Sequence, residues 1–374
     1  MSDVFIAGAG ITRFGKRDES LQDLMAEAAR KALADAEIER PEAIVVATMN
    51  PEEFVGEGNF ASQIATYIGC ARVPALRVET ATSSGAAAIY SGFTALASGI
   101  YRSVLVVGGE KMTHLPTPRV SELISRSIDP VERAYGATMP ALAALVTRSF
   151  MAERGVTLGE ISLVAVKNHA HGARIPYAHF QESVSLEQVM ASRIIADPLR
   201  IFHCCPISDG SAALVLTSER TPVRIAGIGH GADYLAIRYR ETLSSFRATQ
   251  VAAQAAFRMA GFGPQRVELA ELHDAFAPFE LISLEDLGLV TPGMAGRALQ
   301  SGELTLGGRL PVNLSGGLKA RGHPLSATGI AQVVELTWQL RGMAEGRQVD
   351  ARVGLAQSIG GLATNNWVTL VERV

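Results

Sequence analysis

Cysteine is scarce in this sequence. There are three, Cys70, Cys204 and Cys205, an odd number with two of them adjacent. That argues against a disulfide framework and for a reducing compartment. No Cys-x-x-Cys or mixed Cys/His spacing suggests structural zinc, so no metal is expected. Basic runs are also missing. The 34 Lys and Arg face 37 Asp and Glu, for a net charge of -3, which disfavours nucleic acid as a partner. No apolar run is long enough to cross a membrane. The opening MSDVFIAGAG lacks a charged leader with a cleavage site, so no secretion signal is expected and the cytoplasm is the expected location. What remains is a chain of 374 residues, 48% hydrophobic. It suits a soluble globular enzyme with a large core, built as two or three domains or as one large duplicated unit.

Strand and helix patterns alternate along the chain. VFIAGAG reads as a buried strand. SLQDLMAEAARKALADAEI has Leu21, Leu24, Met25, Ala28 and Leu33 at helical spacing, with Ser20 and Asp23 resembling a capping box. AIVVAT, Leu76–Thr80 and SVLVVGG read as further strands, with a small-residue helix over Gly85–Ser98. This order favours a mostly parallel sheet covered by helices. From about 110 to 200 the strand rhythm weakens. A helix is expected around Met139–Arg154, and KNHAHGARIPYAHFQ reads as polar loop. The pattern then begins again. VRIAGIGHGADY echoes VFIAGAGITRFG, VNLSGGLKARGHPLSATG echoes LRVETATSSG, and NNWVTLVERV closes as SAALVLTSE did. The expectation is an internal duplication, 1–220 and 222–374, with 110–200 as an excursion from the first half.

Several short stretches invite chemistry. AGAGITRFG places Gly8 and Gly10 as a dinucleotide site would, but Arg13 stands at the third glycine position and no clear acid ends the second strand. Close strand–helix packing is the plainer reading. The turn Thr80-Ala81-Thr82-Ser83-Ser84-Gly85 precedes a helix whose free N–H groups suit an anion. A cysteine there would be reactive. A threonine hydroxyl needs a strong adjacent base, and capping is the ordinary role of such residues. In GHPLSATG, His323 sits in a glycine turn between strand and helix, held rigidly at the mouth of a cleft or merely solvated. In ELHDAFAPFE, His273 and Asp274 end a strand, where open α/β sheets put their sites; Asp274 orients a histidine or caps the next helix. Cys204 and Cys205 read as buried inert thiols. His169, His171 and His179 would need a further ligand to hold a metal.

Taken together, HDAFAPFELISLEDLGL, NLSGGLKARGHPLSATG, VAVKNHAHGARIPYAHFQ, CCPISDGSAALVL and SIGGLATNNWVTL resemble the thiolase superfamily, in its sterol-carrier-type and archaeal-type branch. The likeness covers nearly the whole chain. It implies an α/β fold, a duplicated five-layered αβαβα sandwich, with the excursion as a loop domain that helps cover an acyl-CoA site. It further implies a substrate that is a coenzyme A thioester with no cofactor, a homodimer, and in this branch a small zinc-ribbon/OB-fold partner protein.

The resemblance also assigns roles. In such proteins a cysteine at a helix N-terminus takes an acyl group, and a second acid/base group moves the α-carbon proton. His323 matches the histidine that activates the nucleophile and binds the thioester oxygen. His273 matches the one that orients an oxyanion-hole water. The Gly361 N–H lies where a second oxyanion hole is expected. Two positions depart from the pattern. The nucleophilic cysteine is Thr82. The second acid/base cysteine is Ser358 or, in sterol-carrier-type relatives, Ala275; Gln357 stands where some relatives have a histidine. The leading expectation is an acyltransferase of thiolase type in lipid metabolism, with Thr82 or Ser83 as oxygen nucleophile. Two alternatives stand beside it: a non-covalent C–C lyase acting by retro-aldol or decarboxylation, and a non-catalytic acyl-CoA-binding subunit. No tyrosine lies after Tyr239 to serve as base for a β-hydroxyl.

Overall fold

The computed structural model describes residues 3–374. Its strands are β1 (Phe5–Ile11), β2 (Ala43–Ala47), β3 (Ala75–Val78), β4 (Ser103–Glu110), β5 (Ile194–Ala196), β6 (Leu199–Arg200), β7 (Gly210–Thr217), β8 (Val223–Ala232), β9 (Leu269–Glu271), β10 (Val353–Gly360) and β11 (Asn365–Arg373). Nine of them follow the order β3-β2-β4-β7-β1-β8-β11-β10-β9, while β5 and β6 form a separate pair.

Pairing in this sheet is duplicated. In the first half β1–β7 and β7–β4 are antiparallel, while β4–β2 and β2–β3 are parallel. In the second, β8–β11 and β11–β10 are antiparallel and β10–β9 is parallel. A parallel bridge from Ala270 to Val312 stands where β3 stood in the first half. The two halves meet where Phe5 of β1 pairs with Arg224 of β8.

Both faces of β1, β2, β4 and β7 are buried, which explains their unbroken apolar runs. Val104 and Val106 of β4, with Leu214 and Leu216 of β7, face a core shared with Ile89, Phe93, Ile330 and Val334. Their neighbours Leu105, Val107, Ala213 and Val215 face Leu21, Met25 and Ala28 on the opposite side. This is the period of two expected of strands between two helix layers. The middle layer is thus the helices Ser84–Ala97 and Thr328–Arg341, one from each half. The outer helices are Leu21–Asp35 on β1 and Arg247–Ala260 on β8. The result is the duplicated five-layered αβαβα arrangement.

Glycine makes the outer layers close. A Cβ at Gly8 would lie 2.1 Å from the Ala32 carbonyl oxygen, and one at Gly229 would lie 2.0 Å from that of Ala252. The AGAG run therefore serves helix packing, and the second-half glycines repeat the device. The Ser20 cap is present, accepting from the Asp23 N–H at 3.1 Å. The excursion contains the helix Met139–Arg154 as the sequence suggests. It differs at KNHAHG, which forms the last turns of the helix Leu158–Gly172 rather than a loop. Lys167, Asn168, His169 and His171 there are polar yet buried, because each finds a partner within the fold. No helix among the described residues is long and apolar enough to cross a membrane.

Candidate active site

Two glycine-rich turns, one from each half, aim at a common cavity of about 270 Å³. The first is the turn before the helix Ser84–Ala97. Ala81 adopts a left-handed φ of 54°, a conformation that costs a non-glycine residue of order 1 kcal/mol and marks a constrained corner. It directs Thr82 across to the end of β10. The Thr82 hydroxyl donates to the Ile359 carbonyl at 2.7 Å and accepts from the Gly361 N–H at 3.2 Å. Ser83 is buried and bound to the Thr80 and Asn365 carbonyls at 2.8 and 3.1 Å. Ser84 closes the corner by donating to the Ala81 carbonyl at 2.6 Å. Thr82 lines the cavity; Ser83 and Ser84 do not.

His323 comes from the second-half turn. Its backbone pairs with Ile207, its N–H donates to the Ser208 hydroxyl at 3.2 Å, and Nδ1 meets the Thr328 hydroxyl at 2.7 Å. His273 follows β9. Its backbone N–H donates to the Gln357 amide oxygen at 3.0 Å, which gives Gln357 a positioning task. The two imidazoles meet edge to face, 5.0 Å between centroids and 87° between planes. Both line the cavity. Burial pushes His323 down to about 3, helped by Arg321 and Lys319. Burial lowers His273 well below the ordinary imidazole value, and His323, Arg321 and Lys319 act the same way. Both rings are therefore neutral at pH 7 and carry one N–H each; with Nδ1 of His323 accepting from the Thr328 hydroxyl, its Nε2–H is the one free for a ligand. His273 Nδ1 is buried without a hydrogen-bond partner.

Asp274 does not touch these rings through a hydrogen bond. Its carboxylate accepts from the N–H groups of Leu318 and Lys319 at 2.6 and 3.3 Å and from Asn168 at 2.8 Å. It caps the short helix Gly317–Ala320, distant in sequence, instead of the helix Ala277–Asp286 that follows it. Ser358 is outside the cavity wall. Gln357 uses one face of β10 to reach His273 and Thr249, so strand alternation turns Ser358 to the other. There it lies opposite Trp367, its hydroxyl buried and unpartnered. Gly361 is in the wall, with its N–H directed to Thr82.

The structure adds residues that the sequence reading set aside. Cys204 and Cys205 line the same cavity as Thr82, His273 and His323. No local sequence signal shows this; the segment is placed by Ile207, two residues on from Cys205, whose backbone pairs with His323. Lys319 is buried beside them and donates from Nζ to the carbonyls of His203 and Ala275. The apolar wall comes from the excursion through Met112, Ile124 and Met139, and from Phe276, Phe279 and Leu325. The three histidines weighed as metal ligands are occupied elsewhere. His169 meets the Glu182 carbonyl, His171 that of Asn313, and His179 the Ser208 hydroxyl.

A duplicated sandwich with a histidine turn facing a helix N-terminus defines a class, and comparison names it. The model of the thiolase N-terminal domain matches residues 4–220, and that of the thiolase C-terminal domain matches residues 229–373. The chain belongs to the thiolase family. It is 40% identical to an acetyl-CoA acetyltransferase of Methanothermobacter thermautotrophicus, over the full length of both chains. It is 34% identical to sterol carrier protein 2 of Bos taurus, across 96% of this chain and 70% of that one. Among solved structures, the Ltp2-ChsH2(DUF35) aldolase superposes with a TM-score of 0.85 at 25% identity, covering 99% of this chain and 98% of that one.

Proposed function

We propose that this chain acts on coenzyme A thioesters and makes or breaks the carbon–carbon bond at the thioester α-carbon through an enolate, without an acyl-enzyme on residue 82. The hydrogen bonding of Thr82 carries this reading. Its proton is directed to the Ile359 carbonyl, so no base is in line to take it, and an alcohol without a base is a poor nucleophile. The His273 and His323 N–H groups instead suit the oxygen of a thioester enolate. Donors of this kind contribute about 3 kcal/mol each in other enzymes. The apolar wall would strengthen them by excluding water. The likeness to a solved aldolase supports carbon–carbon bond cleavage or formation.

Acyl transfer is the second reading, favoured by the name of the 40% identical relative. It requires the Thr82 hydroxyl to leave the Ile359 carbonyl and turn to His323. One experiment separates the two. The protein is incubated with a short 3-ketoacyl-CoA plus coenzyme A, and separately with a 3-hydroxyacyl-CoA, and both products and covalent adducts are read by mass spectrometry. The enolate reading expects cleavage without an adduct, and a Thr82→Ala variant within about threefold of wild type. An adduct on Thr82, with loss of a factor of ~100 or more in Thr82→Ala, would establish acyl transfer instead.

The assembly is part of the same proposal. β3 is an edge strand with Leu76 51% exposed, and edge strands of this kind invite pairing. This supports a homodimer, measurable by light scattering. A second protein component, as in the named Ltp2-ChsH2 assembly, is the other candidate partner. Three free cysteines support a reducing, cytoplasmic setting.

A further inference from the structure

Enolate chemistry needs a proton delivered to carbon, or removed from it. The cavity wall contains four side chains that exchange protons: Cys204, Cys205, His273 and His323. No carboxylate, lysine or tyrosine lines it among the described residues. Both imidazoles are neutral, and His323 Nδ1 is engaged by Thr328. Neither ring is then an imidazolium that could act as acid at neutral pH. The thiols do carry a proton there, since burial raises both and pushes Cys205 up to about 12.

Backbone pairing fixes the cysteine segment, and Cys205 is the thiol nearer in chain to Ile207, which pairs with His323. The Cys205 backbone N–H donates to the Ala275 carbonyl at 2.9 Å, and Cys204 pairs with Phe276. This fixes the segment beside His273, two residues before Ala275. Lys319 fastens the arrangement from behind, through the His203 and Ala275 carbonyls on the two paired segments. Its ammonium also favours a transient thiolate. His273 Nδ1, buried and without a partner, faces no competing protein acceptor or donor.

We propose that Cys205 is the acid–base residue of this site, giving its thiol proton to the α-carbon of a thioester enolate and taking it back in the reverse direction. This rests on the enolate reading above and deepens it. In cleavage of a β-hydroxyacyl thioester, the Cα–Cβ bond breaks and its electron pair enters the enolate. The β-oxygen becomes a carbonyl oxygen and passes its proton to the free ring nitrogen of the neutral His273, which lines the same cavity and relays it onward. The enolate carbon takes the proton of Cys205 Sγ, and the proton released by the β-oxygen restores the thiol. Electrons and protons balance without an external oxidant, reductant or net acid.

The test is α-proton exchange. The full-length protein is incubated with acetyl-CoA in deuterium oxide, and deuterium entering the acetyl group is followed by mass spectrometry. Wild type exchanges. Cys205→Ala falls by a factor of ~100 or more, and the near-isosteric Cys205→Ser by ~10 or more, because an alcohol is a weaker carbon acid–base group than a thiol. Acetyl-CoA affinity, read by calorimetry, stays within about threefold in both, which also reports that they fold. Cys70→Ser, a thiol in a separate core, exchanges as wild type does. Exchange in Cys205→Ala at the wild-type rate overturns this assignment and leaves the enolate reading standing. So does a loss that follows Cys204→Ser while Cys205→Ser remains active. Absence of exchange in wild type, with acetyl-CoA bound, overturns both together.

Discussion

Thr82 is the residue on which the chemistry turns. Its position, after a left-handed Ala81 and before the helix Ser84–Ala97, is one where free N–H groups and the helix dipole favour negative charge. A thiol placed there would be acidified and would need less help to react than an alcohol does. Thr82→Cys is therefore expected to acquire an acyl adduct from acetyl-CoA, detectable as a mass gain on a peptide containing residue 82, while wild type shows none. Failure of Thr82→Cys to acylate would mean that the turn no longer presents residue 82 to a thioester. At this scale the gathering of His273, His323, Thr82 and Gly361 around one cavity was legible, because each lies in a motif tied to a turn or strand end. Ser358 and the cysteine pair were not. Which face of β10 is used depends on Gln357 reaching His273, and the approach of Cys205 to Ala275 depends on a pairing between segments about 70 residues apart. Neither is a local property of the chain.

Elements are placed by backbone contact more than by side-chain size. The outer helix Arg247–Ala260 sits on β8 through Gly227, Gly229 and Gly231, whose missing Cβ atoms leave room for the carbonyls of Ala256, Ala252 and Ala248. The helix can lift only by losing the apolar contacts of Ala252, Ala253 and Ala256 with the core. Gly229→Ala is expected to destabilise the protein by ~1–3 kcal/mol, as overpacking does elsewhere, and calorimetry or denaturant titration checks this. Activity per folded molecule should be unchanged, since β8 contributes nothing to the cavity wall. The glycine runs, the apolar periodicity and the Ser20 cap are local, and they made the layers readable from sequence. The end of the helix Leu158–Gly172 was hidden for the opposite reason. Its polar residues are buried against Asp274, Glu280 and Asn313, all supplied by the second half of the chain.

Across the whole molecule, duplication gives two turns that face each other, and the enclosed region between them keeps titratable groups from charging freely. This predicts a particular acid response. Burial pushes His171, His203 and His323 down to about 3. Between about pH 6.5 and 3 the unfolded chain binds a proton at each that the folded chain refuses. Each therefore lowers stability by up to ~1.4 kcal/mol per pH unit on acidification. Glu271 and Asp286 act oppositely. Burial raises them to about 7 and about 6, so the folded state binds protons first and gains stability as pH falls through those values. That gain is complete once the unfolded carboxyls protonate as well, near pH 4. Above that point the two carboxyls offset two of the three histidines and leave a net loss of about 1.4 kcal/mol per pH unit; below it the offset ends, the three together cost up to ~4 kcal/mol per pH unit, and Asp209 and Glu19, both lowered in the folded state, lose stability in the same direction. Melting temperature should decline gently from about pH 6.5 to 5 and drop steeply below about 4.5. A decline between pH 6.5 and 5 as steep as that below 4.5 would mean that Glu271 and Asp286 are ionised in the folded protein. A melting temperature that rises below pH 4.5 would mean that the buried imidazoles accept protons without cost.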